Sequence, residues 1–190
     1  IYDEFAARFP FNETDDQHEA IDAVLEDLAS GHPMDRLICG DVGFGKTEVA
    51  LRAAFVASMA GRQVAIIAPT TLLARQHGKT FRQRFAGLPV VVRELSRLVS
   101  TAEANETRAG LSDGSVDIVI GTHALISEGV EFHDLALVVV DEQHRFGVEQ
   151  RDALRMKAKK PPHLLVMTAT PIPRTVAMTI FGDLDVSTLR

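Results

Sequence analysis

Apolar positions along the chain follow two spacings that alternate. Short apolar, largely β-branched runs fall at 36–39, 64–68, 90–95, 117–120, 135–140 and 164–167, each of the length of a buried strand. Between them, apolar residues recur three and four apart. Ala20, Ile21, Val24, Leu25 and Leu28 follow Thr14 and precede Gly31, which predicts an amphipathic helix over 15–29. The same spacing predicts helices over about 46–60, 72–85 and 102–111, and a charged helical segment around 150–158. Strands alternating with helices imply an α/β chain whose mostly parallel sheet is covered by helices on both faces. The chain shows no internal repeat, no low-complexity tract and no linker, and its 190 residues, 46% apolar, suit one compact domain.

Charge changes this picture more than composition does. The net charge is −6, but residues 1–50 carry twelve carboxylates against three cations, whereas residues 51–97 carry eight cations against Glu94 alone. Seven of the eight are arginine (52, 62, 75, 82, 84, 93 and 97), the side chain best shaped to fork a phosphate. A solvated helix face would look the same, so this stretch is only a candidate anion-facing surface. The single cysteine, Cys39, excludes an internal disulfide and a zinc site built on several thiolates. No run approaches the roughly 18 consecutive apolar residues of a membrane span, and no basic-then-apolar leader opens the chain. A soluble, cytoplasmic protein without membrane contact is expected.

The chemistry concentrates after strands. Gly40-Asp41-Val42-Gly43-Phe44-Gly45-Lys46-Thr47 fits G-x-x-x-x-G-K-[ST] between an apolar strand and a helix. Glycines let backbone amides curl around phosphates, and the helix N-terminus adds partial positive charge. Lys46 is placed to reach the β- and γ-phosphates of ATP, and Thr47 to ligate Mg²⁺. A second acidic element, Asp141-Glu142-Gln143-His144, ends the run Leu137-Val138-Val139-Val140. Asp141 is the candidate for holding Mg²⁺ and Glu142 the candidate general base for an attacking water. Alone, an acidic pair after a strand is more often a helix cap; beside a phosphate loop it completes a hydrolytic ATP site. The remaining histidines, His77 among them, lack ligand spacing and read as incidental. Cys39 reads as core, and Lys157, Lys159 and Lys160 as a helix C-terminal cap.

These residues resemble the DExH box helicases of superfamily 2. Asp141 to His144 is similar to the DExH box itself. Phe9-Pro10-Phe11, Thr14 and Gln17 resemble the Q-motif region, in which Phe11 and Gln17 would recognise adenine, on a helix at about 9–30. Ala68-Pro69-Thr70-Thr71-Leu72-Leu73-Ala74-Arg75-Gln76-His77 resembles motif Ia. Gly121-Thr122-His123 resembles the next strand-end nucleic-acid contact. Thr168-Ala169-Thr170-Pro171 resembles motif III, which would couple the ATP site to the nucleic-acid surface, with His144 linked to it. The resemblance implies a RecA-like P-loop NTPase domain over 1–190. Within the superfamily, Met34-Asp35-Arg36-Leu37, Phe44 to Ala50 and Leu95-Ser96-Arg97 look like the bacterial transcription-repair coupling factors. Asp141 to Val148, Pro171 to Thr175 and Phe181 to Asp185 look like the RecG fork-remodelling translocases. Gln143 departs from the first pattern and Phe44 from the second, so both families stay open.

On that resemblance, Pro69, Thr70, Thr71, Arg75, Gly121, Thr122 and His123 would meet double-stranded DNA. Backbone amides, hydroxyls and a guanidinium at such a strand-end loop bind phosphates without reading bases. Ten Phe, one Tyr and no Trp offer little material for a base-stacking platform, which favours duplex tracking. Thr70 and Thr71 would serve equally as helix caps. The resemblance also implies a second RecA-like lobe that closes the ATP cleft with an arginine finger. Nothing after Arg190 remains to build it, so the chain reads as a first motor lobe. RNA polymerase would be a partner only through domains outside this chain. A P-loop kinase, or a nucleotide-gated DNA-binding module that hydrolyses nothing by itself, are the alternatives. The acidic box argues against both.

Overall fold

The computed structural model describes residues 1–40, 44–127, 129–141, 152–153, 156–158, 160–169 and 185–189. Its elements run α1 (Tyr2–Ala7), α2 (Asp15–Ala29), β1 (Asp35–Gly40), α3 (Phe44–Met59), β2 (Gln63–Ile67), α4 (Thr71–Arg84), β3 (Val92–Leu95), α5 (Thr101–Asp113), β4 (Ile118–Gly121), a 3₁₀ turn (His123–Ile126), β5 (Leu135–Asp141), β6 (His163–Thr168) and β7 (Asp185–Leu189). The strands form one seven-stranded sheet in the order β3-β4-β2-β5-β6-β1-β7, and every pairing is parallel.

The period of two in a strand divides the core. Ile38, Val64, Ile66, Ile118, Ile120, Leu137, Val139, Leu165 and Met167 point to one face, where they pack with Phe5, Ile21, Val24 and the apolar side of α3. Leu37, Ala65, Ile67, Val119, Val138, Val140 and Val166 point to the other, with Leu111 of α5 and Leu125 of the 3₁₀ turn. Strands buried on both faces become continuous apolar runs, as the sequence shows.

Helix ends are set by local chemistry. Thr14 caps α2 in a reciprocal capping box: its hydroxyl accepts from the Gln17 amide and the Gln17 side chain accepts from the Thr14 amide. The helix begins at Asp15, so residues 9–14 of the expected Q-motif helix are not helical. Thr70 and Ser100 cap α4 and α5 in the simpler way, and Gly114 ends α5 with φ +87°, a left-handed conformation natural to glycine.

One α-helix and one strand were not expected. α1 holds only six residues, too few to form without tertiary support. Its Phe5 supplies that support, stacked 4.5 Å from Phe55 and 4.9 Å from Phe85 between ring centroids. β7 has only partly buried residues past Asp185, so it lacks the apolar signature of the inner strands. Within the charged segment, Asp152, Ala153, Met156 and Lys157 are helical. The Lys157 ammonium donates to the Ser127 and Val130 carbonyls, in a distant segment of the chain.

Candidate functional site

Parallel strands place all their carboxyl ends on one edge of the sheet, the edge at which α/β folds bind ligands. Gly40 closes β1, Gly121 closes β4, Asp141 closes β5, Thr168 closes β6, and β2 leads through Ala68 into Pro69 and Thr70. In sheet order these strands are β4, β2, β5, β6 and β1. The nucleic-acid candidates therefore occupy one half of the edge and the nucleotide candidates the other. At strand spacings of 4.7–4.9 Å, the ends of β2 and β1 lie about 14 Å apart. Asp141 stands between them.

In the nucleotide half, β1 delivers the chain into α3, whose N-terminus opens on this edge. A Cβ on Gly40 would come within 2.9 Å of the Leu189 Cβ, and one on Gly45 within 2.7 Å of the Gln17 side-chain amide. Close packing therefore requires glycine at 40, where the clash is with the Leu189 Cβ and carbonyl, whereas at 45 the Gln17 side chain could give way. Lys46 is 5% exposed, and Thr47 is half-buried. A cleft of about 660 Å³ is lined by Phe9, Pro10, Phe11, Thr47, Glu48 and Leu51, among others. Gln17 lies beside Gly45 at the start of α3, its side-chain oxygen accepting from the Thr14 amide at 2.8 Å. Thr168 lies opposite Cys39 in the parallel pairing of β6 with β1, and Ala169 follows it, half-buried. Asp41, Val42, Gly43, the Phe44 side chain, Glu142, Gln143, His144 and Thr170 lie outside the described residues.

Glu48, next to Thr47, is 1% exposed and sits among buried arginines. Arg52 Nε donates to it at 2.6 Å, Arg84 donates to both its oxygens, and Arg52 also meets Glu13 at 2.6 Å. Arg84 further donates to the Phe5 carbonyl. Burial alone would weaken the Arg52 charge, but the Tyr2 hydroxyl, Glu13 and Glu48 outweigh it and raise its pKa. Burial likewise pushes Glu13 up, and hydrogen bonds from Arg52 and His18 more than reverse this and hold its carboxyl below the usual range. The network ties the start of α3 to α1 and to α4.

In the nucleic-acid half, Thr70 Oγ1 accepts from the Leu73 amide at 3.1 Å, so the capping role is real. Thr70 is exposed, and Pro69 and Thr71 are half-buried. Gly121 is a packing glycine, since a Cβ there would collide with the Leu95 carbonyl. Thr122 is half-buried and His123 exposed. Arg75 is not a free cation: it pairs with Glu94 at 3.3 Å, and Glu94 also accepts from Ser96 at 2.6 Å. Half of the basic stretch is already paired with carboxylates. Arg52 and Arg84 serve the buried network, Arg62 pairs with Asp134 and Arg75 with Glu94. Arg75 remains exposed despite its pairing, together with Lys79, Arg82, Arg93 and Arg97.

His77, which read as incidental, approaches Asp141 with Nε2 2.6 Å from Oδ2. The two are 64 residues apart, so no local spacing could have signalled the pair. His163 is a core acceptor, taking the Met34 amide at 2.8 Å on Nδ1. Among the described residues no group of three or more His, Cys, Asp or Glu could hold a metal ion, and no helix is long and apolar enough to cross a membrane.

Comparison with known proteins agrees with this arrangement. The transcription-repair-coupling factors of Haemophilus influenzae and Bacillus subtilis are 52% and 49% identical to the chain over 186 residues, which is 98% of the chain and 16% of each relative. The chain thus spans about a sixth of the length of these curated relatives. The structure of RecG bound to a three-way DNA junction superposes with a TM-score of 0.84 at 42% identity, over 98% of this chain and 25% of that one. Both likenesses run over nearly the whole chain and do not divide it. A model of the DEAD/DEAH box helicase family matches residues 14–179. Its RecA-like parallel sheet and the motif residues gathered at one sheet edge agree with that match, and the chain belongs to the DEAD/DEAH box helicase family.

Proposed function

We propose that this chain, residues 1–190, is the ATP-binding first motor lobe of a cytoplasmic, ATP-dependent double-stranded DNA translocase that acts in transcription-coupled repair or fork remodelling. The observation that carries the reading is the division of one sheet edge, with nucleotide candidates after β1 and at the end of β5, coupling candidates at the end of β6, and nucleic-acid candidates after β2 and β4. Buried Lys46 would meet the β- and γ-phosphates, and Phe11 with Phe9 would wall the cleft for the base, 5.7 Å apart and edge-to-face. Gln17 would act on adenine from the start of α2, and Thr168, Ala169 and Thr170 would relay between the two halves. Thr47 and Asp141 offer hard oxygen donors of the kind Mg²⁺ takes, and Asp141 lies at the sheet edge with one oxygen already held in place. They fit that ion, which when bound supplies charge neutralisation between the phosphates. Glu142 would take the proton of the attacking water, with His144 beside it. Pro69, Thr70, Thr71, Gly121, Thr122 and His123 would follow the duplex backbone without reading sequence. A second RecA-like lobe would complete the cleft, and RNA polymerase would be reached through domains outside this chain.

ATP affinity and phosphate release test the reading, measured with and without duplex DNA, on this chain and on the chain joined to its second lobe. Lys46→Ala should abolish nucleotide binding in both. Unchanged affinity would remove the phosphate-loop assignment, and a phosphorylated acceptor in place of free phosphate would favour the kinase.

A further inference from the structure

We propose that His77 is a positioning residue for the metal ligand Asp141, an inference that rests on the nucleotide reading above. The backbone of Asp141 is fixed where β5 pairs with β6, opposite Met167. Its carboxylate lies at the open end of the strand, and the ladder hydrogen bonds that fix the backbone do not fix it. The terminal torsion of an aspartate is broad and two-fold, so either oxygen could turn toward the cleft. His77 removes that freedom. A carboxylate only accepts hydrogen bonds, so the imidazole Nε2 carries the proton and donates it to Oδ2 at 2.6 Å. The contact is sheltered, with the two side chains 12% and 11% exposed, and with Oδ2 so engaged it is the other carboxylate oxygen that would face the ion and its water shell.

The imidazole is itself well placed to serve as a fixed point. It projects from α4 between Ala74 and Phe81, which are 0% and 1% exposed in the core. They lie one turn to either side on the same helix face. Histidine and carboxylate pairs next to a metal usually have the histidine on the ion and the carboxylate behind it; here the order is reversed, but the orienting effect is the same. Such partners typically govern metal affinity by 10–100-fold. α4 is also the helix whose first turn carries Thr70 and Thr71, about 10 Å away along its axis at 1.5 Å per residue. The ligand carboxylate is therefore held by the element that carries the nucleic-acid candidates, through one hydrogen bond.

The test measures ATP affinity of the 190-residue chain in Mg²⁺ and in excess chelator, for the native chain, His77→Ala, His77→Gln and Lys46→Ala. His77→Ala should leave affinity in chelator unchanged and reduce the gain from Mg²⁺ by roughly tenfold or more. His77→Gln, whose side-chain amide can donate from nearly the same place, should restore most of it. Combining His77→Ala with Asp141→Asn should cost no more than Asp141→Asn alone. If His77→Ala does not fold, His77→Leu fills the space without a donor and is held to the same outcome. Equal losses with and without Mg²⁺, failure of His77→Gln to restore the gain, or no change at all would overturn the proposal. Lys46→Ala separates the two levels: if that variant binds ATP normally the nucleotide reading itself falls, whereas its loss beside a silent His77→Ala defeats only the positioning role.

Discussion

Thr70 Oγ1 accepts the Leu73 amide hydrogen, and a hydroxyl that accepts still has its own proton to give. Capping α4 and touching a phosphate are therefore compatible in one side chain. Arg75 is more constrained, because its guanidinium is turned to Glu94, whose side chain is 4% exposed. Arg75→Ala should strip that carboxylate of its cation and lower stability to urea, whereas exposed Arg97→Ala should leave stability unchanged and reduce the salt slope of duplex binding by about one. A sequence-dependent loss in Arg97→Ala would contradict backbone tracking. Gly121→Ala sets a Cβ against the Leu95 carbonyl and should cost about 1–3 kcal/mol in the same unfolding assay, the usual range for overpacking. At this scale the sequence showed which residues lie near the chemistry, but not which were already taken. Arg75 and Glu94 sit on different elements, as do His77 and Asp141, and a count of cations along the chain is blind to partners supplied by the fold.

At the scale of elements, the start of α3 depends on charges that left water together. Glu48, Arg52 and Arg84 are 1%, 4% and 8% exposed, and removing one member of such a set strands the others. Glu48→Gln should destabilise the chain by about 3–5 kcal/mol in chemical unfolding, and weaken nucleotide binding by loosening the turn that carries Lys46 and Thr47. A loss below 1 kcal/mol would show that water reaches these arginines. Elements whose signals are local were legible before any coordinates: α2 from its capping Thr14 and apolar stripe, β2 and β5 from uninterrupted apolar runs. Those held by distant contacts were not. α1 is secured by Phe5 against Phe55 and by Arg84, and β7 is a half-exposed edge strand whose Asp185-Val186-Ser187-Thr188-Leu189 shows no clear alternation.

For the whole molecule, acid should be a weakness. Burial pushes the His163 pKa down, Arg62 adds to this and Asp27 opposes it. The unfolded chain then binds the proton more readily than the folded one, so the contribution of neutral His163 is complete above its unfolded pKa and is lost as pH falls below about 6.5. His163→Asn, which keeps an acceptor for the Met34 amide, should shrink the difference in urea midpoint between pH 7.5 and 5.5; an unchanged difference would place the acid sensitivity elsewhere. Hydrolysis should be slow in the lobe alone, since an arginine finger typically contributes 10³–10⁵ in rate, and joining the second lobe should restore DNA-stimulated turnover that Glu142→Gln removes while ATP stays bound. The position of β1 has a consequence for synthesis. This strand, which leads into the phosphate loop, lies between β6 and β7, which leave a ribosome after every other described strand. The first half of the chain emerges with every phosphate-loop residue present and neither neighbour of that strand available. Because domains organise as their residues appear, α2, α3, β2 and β4 can associate early, but Gly40 meets Leu189 only when residues 185–189 are out. Nucleotide capture at this sheet edge therefore waits on residues 163–168 and 185–189, and ATP would arrive too late to guide the pairing of β1 with its neighbours.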